Sequence, residues 1–260
     1  MIDDLTALTH WFPLLDAAGL PVPKTRILMM PAAAQKCMWA GFDGKPGMPS
    51  DVVALRDFAK KLQIAVIEVG GPPAFLRTAH TSDKHNWRRS CYIADGSVNE
   101  LKQRVFNLAE ASEMADIMGL PWDTWVVREF LPTIPWTTCP NYRGMPVCRE
   151  YRVFVVEGRV CCLHPYWPEA ALIEGGVSSA ALAEGDMGGL DYDAFITLTS
   201  DELAALTDLA KRAGRAVPGA WSVDILETQR GWMITDMAEA HKSWHEWPEC
   251  TMHYDQRRTP

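Results

Sequence analysis

Leu5, Leu8, Phe12 and Leu15 recur at three- and four-residue steps, which predicts a helix over residues 4–18 that stops at Gly19. Pro21 and Pro23 bar its continuation, and Thr25 to Met30 reads as a strand. Ser50 is placed to cap a helix through roughly Leu62, with Asp51 near its positive end. The run PAFLRT predicts a short strand ending at Arg77 and Thr78, and the polar, aperiodic residues 79–91 read as a loop. Ser97 and Glu100 have the spacing of a capping box and open a helix expected to reach about Met118. WVVREFL predicts a strand ending at Pro132, followed by a Pro-, Thr- and Gly-rich loop to about Pro146. EYRVFVVEGRVCCLHPYW predicts a hairpin turned at Glu157-Gly158, with glycine where positive φ is needed. Residues 169–199 show little periodicity. Ser200 is placed to cap a helix to about Gly214, and AWSVDILETQRGWMITDMA predicts a terminal hairpin turned near Gln229 to Gly231. No internal repeat appears, and no linker is long enough to separate independent domains.

Composition narrows the class. A hydrophobic content of 48% over 260 residues supports a substantial core. The formal net charge of -8 argues against a broad grip on nucleic acid, although Lys84, His85, Arg88 and Arg89 form a small basic cluster. No apolar run approaches a membrane span, and the acidic N-terminus lacks a signal pattern, so the expected compartment is the cytoplasm. The seven cysteines are odd in number and lack CxxC spacing, which argues against a disulfide framework or a zinc site.

Four features carry candidate chemistry. Asp224 and Asp236 fall on the two strands of the terminal hairpin, where antiparallel pairing brings the carboxylates together. Paired carboxylates suit Mg2+, and the plain alternative is two strand-end aspartates in water. Arg77 ends an apolar strand just before a loop offering Ser82, Lys84 and His85, all compatible with phosphate; the alternative is a solvated surface loop. The strand containing Arg128, Glu129, Phe130 and Leu131 has backbone groups that suit an adenine edge and a carboxylate that suits a ribose, or it is a plain core strand. Arg152 lies among apolar residues and needs an anion, which is a phosphate, Glu150 or Glu129. His241, His245, Trp244 and Trp247 sit in an aromatic tail that either covers a site or packs on the fold.

Taken in order, these segments resemble the ATP-grasp superfamily. AGLPVPKTRIL is similar to its entry, FLRTAHTSDKHNW to its phosphate-binding strand and loop, WVVREFL to its adenine-hinge strand, EYRVFVVEGRV to the pair carrying an anion-binding arginine, and SVDIL with MITDMAEA to its metal-binding strands. Two branches are similar: bacterial and phage members of unassigned substrate, and the eukaryotic chaperones of translation initiation factor assembly. The resemblance implies an α+β fold of two antiparallel-sheet lobes, about 20–130 and 131–260, forming one unit with nucleotide between them. It implies ATP and Mg2+, with Arg77, Ser82, Lys84, Arg128, Glu129, Phe130, Leu131, Glu150 and Arg152 at the nucleotide, Asp224 and Asp236 at the metal, and Arg152, Lys84 and His85 in catalysis. The implied activity is a ligase that activates a small-molecule or peptide carboxylate as an acylphosphate for attack by an amine; an ATP-binding assembly module and a kinase-like phosphotransferase are the alternatives. The loop 79–91 is expected to order on nucleotide, unless Trp87 pins it in the core. One departure stands out: Ala238 replaces the family's usual asparagine, which leaves the number of metal ions open, with Glu239 or water as the substitute.

Overall fold

The computed structural model describes residues 4–115, 119–185 and 191–245. The strands are β1 (Thr25–Met29), β2 (Ala74–Thr78), β3 (Tyr92–Ile93), β4 (Thr124–Glu129), β5 (Thr137–Cys139), β6 (Met145–Val147), β7 (Glu150–Val156), β8 (Arg159–Pro165), β9 (Ala220–Thr228) and β10 (Gly231–Glu239). The helices are α1 (Leu8–Ala17), α2 (Ala32–Phe42), α3 (Pro49–Glu68), α4 (Val98–Met114), α5 (Glu169–Glu174), α6 (Ser179–Glu184), α7 (Tyr192–Ile196) and α8 (Ser200–Ala216). The expected α+β class with antiparallel sheets is what the structure shows. Two compact units divide the chain: a smaller one of residues 23–131 and 141–145, and a larger one from the remainder. Among the described residues no helix is long and apolar enough to cross a membrane.

The smaller unit is an antiparallel sheet in the order β1-β4-β2-β3 with helices on one face. Ala74, Leu76, Trp125, Val127 and Ile93 point to that face and join Phe58, Leu62, Leu101, Val105 and Leu108 in one core. Helix α4 begins at Ser97, whose side chain accepts from the Glu100 N–H. Glu100 reaches back past the cap to the N–H groups of Ala94, Asp95 and Gly96, so it fastens the preceding turn as well as the helix. Helix α3 is longer than its pattern predicts and starts at Pro49 without a side-chain cap, so Ser50 is inside the helix. The expected helix end at Met118 lies outside the described residues; α4 closes at Met114. Helix α2 has no counterpart among the expected elements: its N-cap is Pro31, and only Ala34 and Met38 are buried on it.

The larger unit holds the sheet β10-β9-β7-β8, again antiparallel. Its apolar face carries Tyr151, Val153, Val155, Trp221, Val223 and Ile225, all buried, and packs against α8. Thr199, one residue before the expected Ser200, caps α8 through a reciprocal box with Glu202. Helix and hairpin approach closely: a Cβ on Gly214 would lie 2.4 Å from Val155 Cγ1. The β7–β8 turn is Glu157-Gly158, with φ of 48° and 70°, the two-residue turn expected there. β5 and β6 form a separate two-stranded ribbon within the expected loop excursion. The aperiodic stretch 169–199 contains α5, α6 and α7, each too short to show a full apolar stripe.

Candidate functional site

Each sheet turns its polar chemistry to the face away from its helices. In the larger unit that face carries a row of ionisable residues, one per strand. His164 on β8 is opposite Arg152 on β7, Arg152 is opposite Asp224 on β9, and Asp224 is opposite Asp236 on β10. Two β-bulges create the alignment. Counting back from the Gln229-Arg230 turn in a regular hairpin would set Thr235 against Asp224 and send Asp236 to the other face. The register shifts between Ile234 and Asp236, which makes Thr235 the extra residue and brings Asp236 into the row. On the other edge the shift between Phe154 and Val155 makes Cys161 the extra residue, so that Cys162 and His164 join the same face.

Arg152 is the centre of the row. Its Nε donates to Asp224 Oδ1 at 2.8 Å and a terminal nitrogen donates to Asp224 Oδ2 at 2.9 Å, a bidentate pair. The guanidinium also lies 4.8 Å from the Tyr166 ring centroid and donates to the Trp244 carbonyl. Burial alone would lower the Arg152 pKa, but the facing Asp224 carboxylate outweighs it and the net shift is upward. The anion expected beside Arg152 was a phosphate, Glu150 or Glu129; the structure supplies Asp224, one of the expected metal ligands. Glu150 shares the face and accepts from Thr235 Oγ1 at 3.1 Å, and the same hydroxyl donates to the Asp224 carbonyl. Asp236 accepts from the Met237 N–H through Oδ1.

Glu239 does not substitute for the missing asparagine. It is opposite Trp221, on the sheet face away from Asp236, and it pairs with Lys242 at 2.7 Å. The position on the row's face is Ala238, opposite Ser222. Burial, then neighbouring His245 and Arg152, push the His164 imidazole down to about 4. Nothing in the sequence singles out His164, because its place in the row depends on the bulge.

In the smaller unit the corresponding face carries Arg77 and Arg128, both buried. Arg77 is opposite Val126, and Arg128 is opposite Phe75. Arg77 Nε donates to the Thr78 carbonyl at 3.1 Å, and Arg128 Nε to Thr25 Oγ1 at 3.3 Å. Glu129 accepts from the Lys24 N–H at 2.8 Å, so its carboxylate fastens the entry of β1 to the end of β4. Phe130 packs with Trp87 and Tyr92, and Leu131 is buried.

The loop 79–91 is built around two side chains. Thr78 accepts from the N–H groups of His80 and Thr81. Asp83, at φ 47°, accepts from Asn86 and Ser90. Lys84 and His85 occupy the short 3-10 turn between them, and Ser82 precedes it. Trp87 packs among Phe75, Tyr92 and Phe130, so the base of the loop is anchored by aromatic contact. His85 stacks on Tyr142 with centroids 4.3 Å apart, and Arg143 donates to Asn86. That cover by residues 141–145 has no signal in the sequence.

His241 is in the 3-10 turn after β10, Trp244 and His245 follow it, and Trp247 lies outside the described residues. The six described cysteines are thiols rather than disulfides. Burial pushes Cys91 up to about 12 and Cys139 and Cys148 up to about 11, as expected of core filler.

Comparison with known proteins fits this architecture. A family profile for the ATP-grasp domain, the third family of its clade, matches residues 68–253. Cdc123 from Schizosaccharomyces pombe is similar in structure, with a TM-score of 0.51 at 14% identity over 90% of this chain and 83% of that one. A RimK domain ATP-grasp protein from Sphaerobacter thermophilus overlaps 91% of this chain and 58% of its own at 16% identity and a TM-score of 0.44. No curated protein sequence matches the chain. With more than half of its residues matched by that one profile, the chain belongs to the ATP-grasp family.

Proposed function

We propose that the chain is an Mg-ATP-dependent ligase that activates a carboxylate for attack by an amine or similar nucleophile. The observation that carries this reading is the placement of Asp236 beside Asp224 by a bulge, next to a buried arginine. A hard divalent cation takes one or two carboxylates and fills its remaining positions with water and phosphate oxygens. The residues fit such an ion. Each carboxylate oxygen accepts more than one contact, so Asp224 can hold Arg152 and share an ion with Asp236.

Bound ATP supplies the phosphoryl group that converts the substrate carboxylate to an acylphosphate. The chain's own residues position and neutralise. In the larger unit, Asp224 and Asp236 hold the cation, and Arg152, oriented by both Asp224 oxygens, presents fixed positive charge to the transferred group or the acyl oxyanion. In the smaller unit, Arg77 and Lys84 hold phosphate oxygens with Ser82, the backbone of Arg128 to Leu131 meets the adenine, and Glu129 takes the ribose. His85, held flat against Tyr142, is the candidate proton carrier of the loop.

A second reading has one observation in its favour. The row's face offers Ala238 where a further oxygen ligand is expected, which suits a binding module that holds ATP without turnover. ADP release measured against pools of carboxylates and amines separates the two. The ligase reading expects substrate-dependent release that Asp236→Asn abolishes in a folded protein. Release that is absent with every pool, or unchanged in the variant, overturns it.

A further inference from the structure

We propose that Cys162, His164 and His245 bind a transition-metal ion of the zinc class, at a site separate from the carboxylate pair. The three ligand atoms all lie within 4.8 Å of one another. Cys162 Sγ is 3.1 Å from His245 Nε2, and the His164 and His245 ring centroids are 4.8 Å apart. Tetrahedral zinc, with bonds of about 2.3 Å to sulfur and about 2.0–2.1 Å to nitrogen, sets its ligand atoms roughly 3.3–3.6 Å from each other. Small side-chain adjustments therefore close the cluster onto an ion.

The fold assembles these residues by two separate devices. The bulge at Cys161 returns Cys162 to the face of His164, so a Cys-x-His pair projects from one strand. The chain after β10 then brings in His245, 83 residues beyond Cys162. That segment is fastened independently of any ion: Arg152 donates to the Trp244 carbonyl, and Ser243 hydrogen-bonds Ser222. Phe154 packs edge-on to both imidazoles, and Ala240 packs with Phe154 and Cys162. One sulfur and two nitrogens against an apolar wall select a borderline-soft ion over Mg2+.

Three protein ligands leave a fourth position for water or a substrate atom, the coordination of a catalytic rather than a closed structural site. His164 is directly opposite Arg152, so the ion would sit at the end of the charge row. The spacing of cysteines alone gives no sign of the site, because two of its three ligands are histidines and one is remote.

Cobalt(II) added to chelator-treated protein tests the assignment. One equivalent per chain should bind with a near-ultraviolet thiolate-to-cobalt absorption band. Cys162→Ser should remove that band, His245→Ala should weaken binding by at least the ~10–100-fold typical of even outer-shell changes, and Cys161→Ser should leave the band in place. His245 lies outside the strands, so its variant keeps the test readable if Cys162→Ser does not fold, and thermal unfolding of each variant reports folding. No stoichiometric binding, a band that survives Cys162→Ser, or one that follows Cys161 instead overturns the proposal. An alkylation-sensitive Cys162 with no metal uptake would mark a thiol–imidazole pair and overturn it too. ATP binding titrated in the same samples is independent; its failure would remove the ligase reading and leave this site standing.

Discussion

The two sheets share a plan and differ in how they handle charge. Each is four-stranded and antiparallel, packs helices on one face and turns buried arginine to the other. In the larger unit the arginine is chelated by a carboxylate on the next strand, with a second carboxylate beside it. In the smaller unit the charged residues that the strands place on the corresponding face are two arginines, whose Nε atoms donate to neutral oxygens, a carbonyl and a hydroxyl. A face that pairs acid with base holds its own charge balance and suits a cation shared with phosphate. A face whose strand charges are arginines suits the anion itself. The difference teaches that two similar scaffolds acquire opposite ligand preferences through a few strand positions.

The largest expected effect breaks the balance in the larger unit. Asp224→Ala leaves Arg152 buried without its counter-charge and should destabilise that unit by about 3–5 kcal/mol in urea unfolding. The double change Arg152→Met with Asp224→Leu should recover most of the loss, because both desolvation costs disappear together. A single variant as stable as the parent would mean that the pair contributes nothing to the fold.

The arginine face is sharpened by a comparison of ligands. Arg77→Ala should weaken ATP by about tenfold or more while changing adenosine little, since a charge-assisted phosphate contact is worth roughly 1.5–3 kcal/mol. An equal loss for both ligands would place Arg77 in the scaffold and remove the contrast between the two faces.

The smallest effect comes from an ion pair away from the row. Arg149 bridges Glu202 and Glu227 at 2.7 and 3.0 Å, and its hydrogen bond, set against burial, pulls the Glu202 carboxyl down to about 2. A carboxyl depressed in the folded state stabilises above its unfolded pKa, and that contribution disappears as pH falls through the folded value. Stability should therefore drop by about 1 kcal/mol or less between pH about 4.5 and about 2 on this account, and Glu202→Gln should flatten that part of the profile. An unchanged profile in the variant would assign the acid sensitivity elsewhere.

Strands and hairpins are legible in the sequence wherever apolar runs meet glycine turns, as at Glu157-Gly158. Helix α2 is not, because Pro31 precedes it without a capping side chain and little of it is buried. The hairpin pattern points to the aspartate pair, but a regular hairpin would have separated the two side chains. The bulge at Thr235 is what joins them, and no residue type announces a bulge. The Arg152–Asp224 pair and His164 are hidden for a related reason: cross-strand partners follow from register, and one residue of slip exchanges the faces. Loop contacts such as His85 on Tyr142 come from segments far apart in sequence, where local pattern carries no information.

The central claim is that Asp224 and Asp236 hold the cation that accompanies ATP. Calorimetric titration of ATP, with and without Mg2+, into the parent protein and Asp236→Asn tests it most directly. The account predicts Mg2+-dependent binding by the parent and loss of that dependence in the folded variant. Equal affinity with and without Mg2+, or dependence that survives in Asp236→Asn, would contradict it.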